Sequence, residues 1–78
     1  IVDLRKETSY LQFHYTNAVN IPYVENERWL NQFSKNQVYI LYCDYGNISL
    51  LAARKLSQKG ISAYTVIGGI TKMIDSRK

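Results

Sequence analysis

Val38–Tyr42 is the segment that most constrains this chain. Five consecutive residues, Val38, Tyr39, Ile40, Leu41 and Tyr42, are apolar or aromatic. A run that short and continuous reads as a strand covered on both faces, the pattern of a parallel sheet. It stops at Cys43-Asp44-Tyr45-Gly46-Asn47-Ile48, a turn-like stretch, and a helix is expected from Ser49 to Lys59. On that helix Ala52, Ala53 and Leu56 share one face, while Arg54, Lys55 and Gln58 share the other. Leu51 falls on the polar side. Gly60 supplies the left-handed position that ends the helix.

The flanking sequence repeats the alternation. Strands are expected at Ile1–Leu4, at Ala18–Ile21 before Pro22, and at Tyr64–Ile67 before Gly68-Gly69. A helical turn is expected over Thr8–His14 with Thr8 or Ser9 as its cap, a short helix over Glu27–Phe33 anchored by Trp29, Leu30 and Phe33, and a last turn over Ile70–Asp75. Strands alternating with helices predict parallel βαβ crossovers. In such sheets the site lies beyond the carboxyl ends of the strands, which is where Cys43 falls.

At 78 residues one domain is expected, spanning 1–78, with little stability to spare. Hydrophobic residues at 46% and charged residues at 21% place it among globular chains. No apolar run approaches the roughly 18 residues that span a bilayer, no start resembles a signal peptide, and no nucleic-acid motif is recognisable. Cys43 is the only cysteine, so no internal disulfide can form, and a reducing cytoplasmic setting is the expectation. The net charge of +4 gathers late, in Arg54, Lys55, Lys59, Lys72, Arg77 and Lys78 against Asp75. Such a run reads first as a solvated helix face and tail, and second as a lure for an anion or an acidic partner.

Cys43 has two readings. It is a small buried residue ending a core strand, or it is a nucleophile whose thiolate rests on backbone amides and the positive end of a helix. The residues that follow suit the second reading. Gly46 lets the chain turn with φ > 0 and approach an anion closely. Asn47 tolerates a left-handed conformation and bonds locally. Ser49 offers a hydroxyl as cap or as donor to sulfur. Amides curled this way form an anion-binding nest. The spacing alone leaves the two readings level.

Three blocks, in order and spread over most of the chain, resemble the rhodanese homology domain. Val2-Asp3-Leu4-Arg5 is similar to its strand ending in Asp-x-Arg. His14-Tyr15-Thr16-Asn17-Ala18-Val19-Asn20-Ile21-Pro22 resembles its His-Ile-x-Gly-Ala-x-Asn-Ile-Pro block, with Tyr15 and Asn17 departing from it. Cys43 through Ser49, with Gly68-Gly69-Ile70, resembles the Cys-x-x-Gly-x-x-Ser loop and the closing Gly-Gly segment.

The resemblance implies a three-layer α/β/α domain with a central parallel sheet, here short of the family's usual N-terminal strand and helix. An unpaired sheet edge is then expected, with dimerisation or instability to follow. It also implies sulfur transfer. The Cys43 thiolate takes sulfur from thiosulfate or a persulfide, stores it as a persulfide, and passes it to cyanide, a thiol or a sulfur-carrier protein. Asp44, Tyr45, Gly46, Asn47, Ile48 and Ser49 would hold the charge on sulfur, and no metal or organic cofactor is called for. Arg5 would contact the anion or, with Asp3, form a structural ion pair. His14, the lone histidine, is expected to be structural. A persulfide-relay or protein-binding module of a larger protein is the alternative.

Phosphatases of similar fold use a longer loop with an Arg at its helix end. No Arg or Lys occurs here between Cys43 and Ser49, which argues against phosphoryl chemistry. Two further departures matter. Asp44 stands where many members carry Arg, so a neutral donor or protein persulfide is expected to suit the site better than thiosulfate. Met73 stands where Trp is common, a change expected to be confined to packing.

Overall fold

The computed structural model describes residues 1–71. Within them the order is β1 (Val2–Asp3), α1 (Glu7–Gln12), β2 (Val19–Asn20), α2 (Glu27–Leu30), β3 (Val38–Tyr42), α3 (Asn47–Gln58) and β4 (Ser62–Thr65). All pairings are parallel, in the order β2-β1-β3-β4. Val2 and Asp3 lie beside Leu41 and Tyr42, and Ile40 beside Tyr64. The chain is thus an α/β domain on a four-stranded parallel sheet.

Strand alternation sends the residues of β3 to two different layers. Leu41 and Cys43 join Val2, Leu4, Trp29, Phe33, Ala52, Ala53, Leu56 and Ile61 beneath α2 and α3. Tyr42 turns the other way, onto Ala18 and Ile70, with Tyr10 of α1 packed alongside. Trp29 and Phe33 are core residues, as expected, and their rings lie 4.8 Å apart.

The second layer is shorter than the apolar run implied. Leu41 and Tyr42 are fully buried, but Val38 is 66% and Ile40 45% exposed, and Tyr64 beside Ile40 is 64% exposed. The expectation of a strand covered on both faces holds only at its carboxyl end. The reason is reach, because Tyr10, Tyr15 and Ile70 pack at that end of the strands. Among the described residues β4 pairs only with β3, which leaves its other edge open.

Helix termini account for most shifted boundaries. α1 starts at Glu7, and neither Thr8 nor Ser9 caps it. Lys6 holds the cap position without a side-chain bond, its carbonyl accepting from the amides of Ser9 and Tyr10 at 3.1 and 3.2 Å. α2 is four residues long, capped by Asn26, whose Oδ1 accepts from the Trp29 amide at 3.1 Å. α3 begins two residues before Ser49, because Gly46 already occupies its cap position. It ends as expected at Gly60 (φ +79°), where the amides of Gly60 and Ile61 bond back to Ser57 and Leu56. β4 likewise starts at Ser62, ahead of Tyr64.

The basic face of α3 is partly neutralised. Lys55 pairs with Glu25 and Lys59 with Glu27, both at 3.4 Å, while Arg54 faces solvent. A cleft of about 270 Å³ between these pairs, Tyr23 and Trp29 lies toward the end of α3 remote from Cys43. No helix among the described residues is long and apolar enough to cross a membrane. Most of the turn expected at Ile70–Asp75, and Met73 with it, lies outside the described residues.

Candidate active site

In the order β2-β1-β3-β4 the connections leave β1 and β3 in opposite directions. A crevice forms at such a reversal, beyond the carboxyl ends of the two strands. Arg5 follows β1 there and Cys43 follows β3.

The thiol is held from three sides. Cys43 is 4% exposed and packed among apolar residues, an environment that by itself opposes charge. Two backbone amides answer it. The N–H groups of Gly46 and Ser49 donate to Sγ at 3.2 and 3.4 Å. These are donors of the helix start, where amides lack intrahelical partners and the dipole is positive. Two side-chain oxygens, Ser49 Oγ at 3.7 Å and Asn47 Oδ1 at 3.8 Å, lie within reach of the thiol proton.

The curl of the loop depends on three glycines. Gly46 takes φ +95°, and a Cβ there would sit 3.0 Å from the Gly68 amide nitrogen. A Cβ on Gly69 would fall 2.5 Å from the carbonyl oxygens of both Cys43 and Asp44. Those carbonyls accept from Ile70 and Thr71 at 2.8 and 3.2 Å. Gly68-Gly69 thus brings a second run of amides against the outer side of the loop. It takes up the carbonyls of Cys43 and Asp44 while the amides of Gly46 and Ser49 turn toward the sulfur.

Asn47 does not use the left-handed conformation that it tolerates. It is the first residue of α3, and among the described residues the left-handed non-glycine one is Asn17 (φ +68°). The reason is that Gly46 makes the turn and leaves Asn47 free to be helical. Ser49 is fully buried and does not cap; its hydroxyl donates to the Gly46 carbonyl at 3.2 Å and pairs with Thr65. With its proton so used, Ser49 accepts from Thr65 and meets the sulfur as an oxygen lone pair, alongside its amide donor. Thr65 escaped the sequence reading. Its signal was faint, a polar residue near the carboxyl end of the neighbouring strand.

The remaining expected residues fall around the rim. Tyr45 is 72% exposed, and Ile48 packs inward against the core. Asp44 is exposed, with Oδ1 3.9 Å from Arg5 Nη1. Arg5 is itself nearly buried. Its Nε and Nη2 grip the fully buried Asp3 carboxylate, the closest contact being 2.8 Å, and Nη2 also donates to the Phe13 carbonyl. That bond to Asp3 raises the guanidinium pKa further above its ordinary value. Asp3 and Arg5 are therefore an ion pair tying β1 to the chain after α1, and Arg5 meets the loop through Asp44. Tyr42 lies below them. Burial pushes its phenol up to about 12, the Asp3 carboxylate adds to the rise, and the Tyr15 amide bonded to its oxygen at 3.0 Å works against it.

His14 stacks on Tyr10 at 3.8 Å and its Nδ1 bonds the Tyr10 carbonyl at 2.7 Å, a helix-end contact as the structural reading expects. Among the described residues no cluster of three or more His, Cys, Asp and Glu has the arrangement to hold a metal ion.

Comparison with known proteins agrees with this geometry. Residues 1–76 match the rhodanese-like domain family. The chain is 33% identical over 72 residues to a tRNA sulfurtransferase of Desulfurococcus amylolyticus, covering 92% of this chain and 14% of that protein. It is 29% identical to the thiosulfate sulfurtransferase GlpE of Coxiella burnetii, covering 88% of this chain and 65% of the relative. The chain thus spans about one-seventh of the length of the tRNA sulfurtransferases it matches, and about two-thirds of GlpE. A rhodanese-related protein of Thermoplasma volcanium superposes with a TM-score of 0.85 at 32% identity, over 96% of this chain and 75% of that one. A rhodanese-like domain protein of Staphylococcus aureus gives 0.78 at 33% identity, over 88% and 68%. By sequence and by fold, the chain belongs to the rhodanese-like domain family.

Proposed function

We propose that the chain is a sulfurtransferase domain that carries sulfane sulfur on Cys43. The observation that supports this most is the pair of main-chain N–H groups on a buried sulfur, in a loop with no cationic side chain. Such donors act on charge as it develops and need no reorganisation. They suit the spread charge of a persulfide better than the denser charge of a phosphoryl group, which calls for a guanidinium fork.

The Cys43 thiolate attacks the outer sulfur of the donor. With thiosulfate the new Sγ–S bond forms as the donor's S–S bond breaks, and sulfite leaves with the bonding pair. The persulfide keeps one negative charge. A thiophilic acceptor, cyanide or a thiol, then attacks the terminal sulfur, and Sγ departs as the thiolate. Storing the sulfur covalently splits one difficult transfer into two easier ones.

Asp44 at the rim disfavours dianionic donors, so we assign preference to an uncharged or singly charged persulfide. A relay role, taking sulfur from one protein and giving it to another, is the second reading. It is favoured by relatives such as the tRNA sulfurtransferases, in which the matched region is 14% of the protein. Intact-mass measurement after incubation with thiosulfate, a small organic persulfide or a persulfidated protein separates the readings. A gain of one sulfur from a small donor, lost on adding cyanide, supports the enzyme; loading from the protein donor alone supports the relay. No gain from any donor contradicts both.

A further inference from the structure

Asn47 and Ser49 both place an oxygen near Sγ, yet they differ in freedom. Ser49 is fully buried, and its hydroxyl is engaged by the Gly46 carbonyl and Thr65. It cannot turn without breaking both bonds. Asn47 is exposed, and among the described residues its carboxamide bonds nothing but the sulfur, at 3.8 Å. Rotation of the terminal amide exchanges Oδ1 for Nδ2 at nearly the same position, an acceptor for a pair of donors.

The sulfur makes the opposite demand in its two states. A thiol has a proton to give, and Asn47 Oδ1 can take it. A sulfur anion needs donors, and the two backbone amides already present leave its solvent side open. A persulfide places its charged terminal sulfur roughly 2 Å beyond Sγ. The inner side is filled by Ser49 and the core, so that atom must extend outward, past Asn47.

We propose that the Asn47 carboxamide is a switchable partner of the reacting sulfur, accepting from the Cys43 thiol and turning to donate N–H to the thiolate and to the terminal persulfide sulfur. The persulfide half rests on the sulfur-transfer reading above; the thiolate half does not. Asn47 would then touch the reacting atoms and determine how long the loaded state survives.

Asn47→Asp keeps the size and the acceptor but removes the donor, and a carboxylate at the first turn of α3 suits the helix. Asn47→Ala removes both functions and lets water in. The rate constant for alkylation of Cys43 by iodoacetamide at neutral pH should fall at least about tenfold in Asn47→Asp, where the lost hydrogen bond and the added negative charge act together. In Asn47→Ala it should fall only about threefold, since water replaces part of the donation. The carboxamide N–H resonances of Asn47 in nitrogen-labelled protein should move when the persulfide is loaded from a small organic persulfide or a persulfidated protein and return when cyanide removes it. An alkylation rate within a factor of two of the parent in Asn47→Ala, which adds no charge, or resonances unmoved by a loading that mass confirms, would overturn the proposal. If the parent takes up no sulfur at all, the sulfur-transfer reading and the persulfide half fall together, and the alkylation rates alone decide the thiolate half.

Discussion

Arg5 and Asp44 face each other at 3.9 Å across the reversal of the sheet, one nearly buried and the other at the rim. Asp3 fixes the guanidinium from behind, so Asp44 is drawn toward a stationary charge. The position that weakens the case for thiosulfate is thereby partly compensated by a residue that follows β1.

Compensation at that distance is incomplete, and this sets the first expectation. Asp44→Asn should lower the KM for thiosulfate about fivefold with kcat little changed, the size of a dianion's repulsion by one charge several ångströms away in a solvated site. Asp44→Arg should lower it further. Steady-state kinetics at low ionic strength reads the effect, and an unchanged or higher KM in Asp44→Asn would contradict it.

Asp3→Asn attacks the pair from its buried side. Arg5 would then keep a guanidinium among buried groups with only the rim carboxylate of Asp44, 3.9 Å away, as counterion. Removing one partner of a buried pair costs about 3–5 kcal/mol, a large share of what a domain this small holds. Urea unfolding should show the loss as a lower midpoint. A cost under about 1 kcal/mol would mean that the pair behaves like an exposed one.

Much of this was legible in the sequence, and the reasons are local. Val38–Tyr42 announced a core strand, Gly60 ended its helix, and Cys43, Gly46 and Ser49 stood close enough in the chain for their geometry to be read from turn and helix-end rules. What escaped depends on distant partners. Thr65 reaches Ser49 only because β4 pairs with β3. The bare face at Val38 and Ile40 reflects how little of the sheet is covered from α1's side, which an apolar run cannot report. Asn26, which caps α2 by accepting from the Trp29 amide, escaped although its residue type favours a helix start. Nothing in the structure explains Leu51, which remains 40% exposed beside Leu50.

Tyr42 gives the stability a dependence on alkaline pH. Its phenol is fully buried and its pKa is pushed from 10.0 to about 12 in the folded chain. A pKa raised on folding contributes stability that is complete below the unfolded value and lost as pH climbs through the folded one. Two pH units correspond to roughly 2–3 kcal/mol, lost between about pH 10 and about pH 12. Tyr42→Phe should remove that alkaline decline, while costing about 1 kcal/mol at neutral pH through loss of the phenol's hydrogen bond from the Tyr15 amide. Equal alkaline slopes for parent and variant would contradict this.

Gly69→Ala tests the outer half of the cradle. The new methyl would meet the carbonyl oxygens of Cys43 and Asp44 at 2.5 Å, backbone atoms with nowhere to go. We expect a loss of about 2 kcal/mol or more, and sulfur uptake reduced beyond what unfolding explains. Uptake at the parent rate in the folded fraction would show that the Gly68-Gly69 turn does not shape the loop.

Sulfur transfer by this chain rests on Cys43 Sγ as the atom that takes up the sulfur. Thiocyanate formation from cyanide, with a small organic persulfide as donor, measures it most directly when parent and Cys43→Ser are compared at equal folded concentration. The parent should produce thiocyanate steadily, and Cys43→Ser none above the uncatalysed rate. Equal production by the two proteins would contradict it.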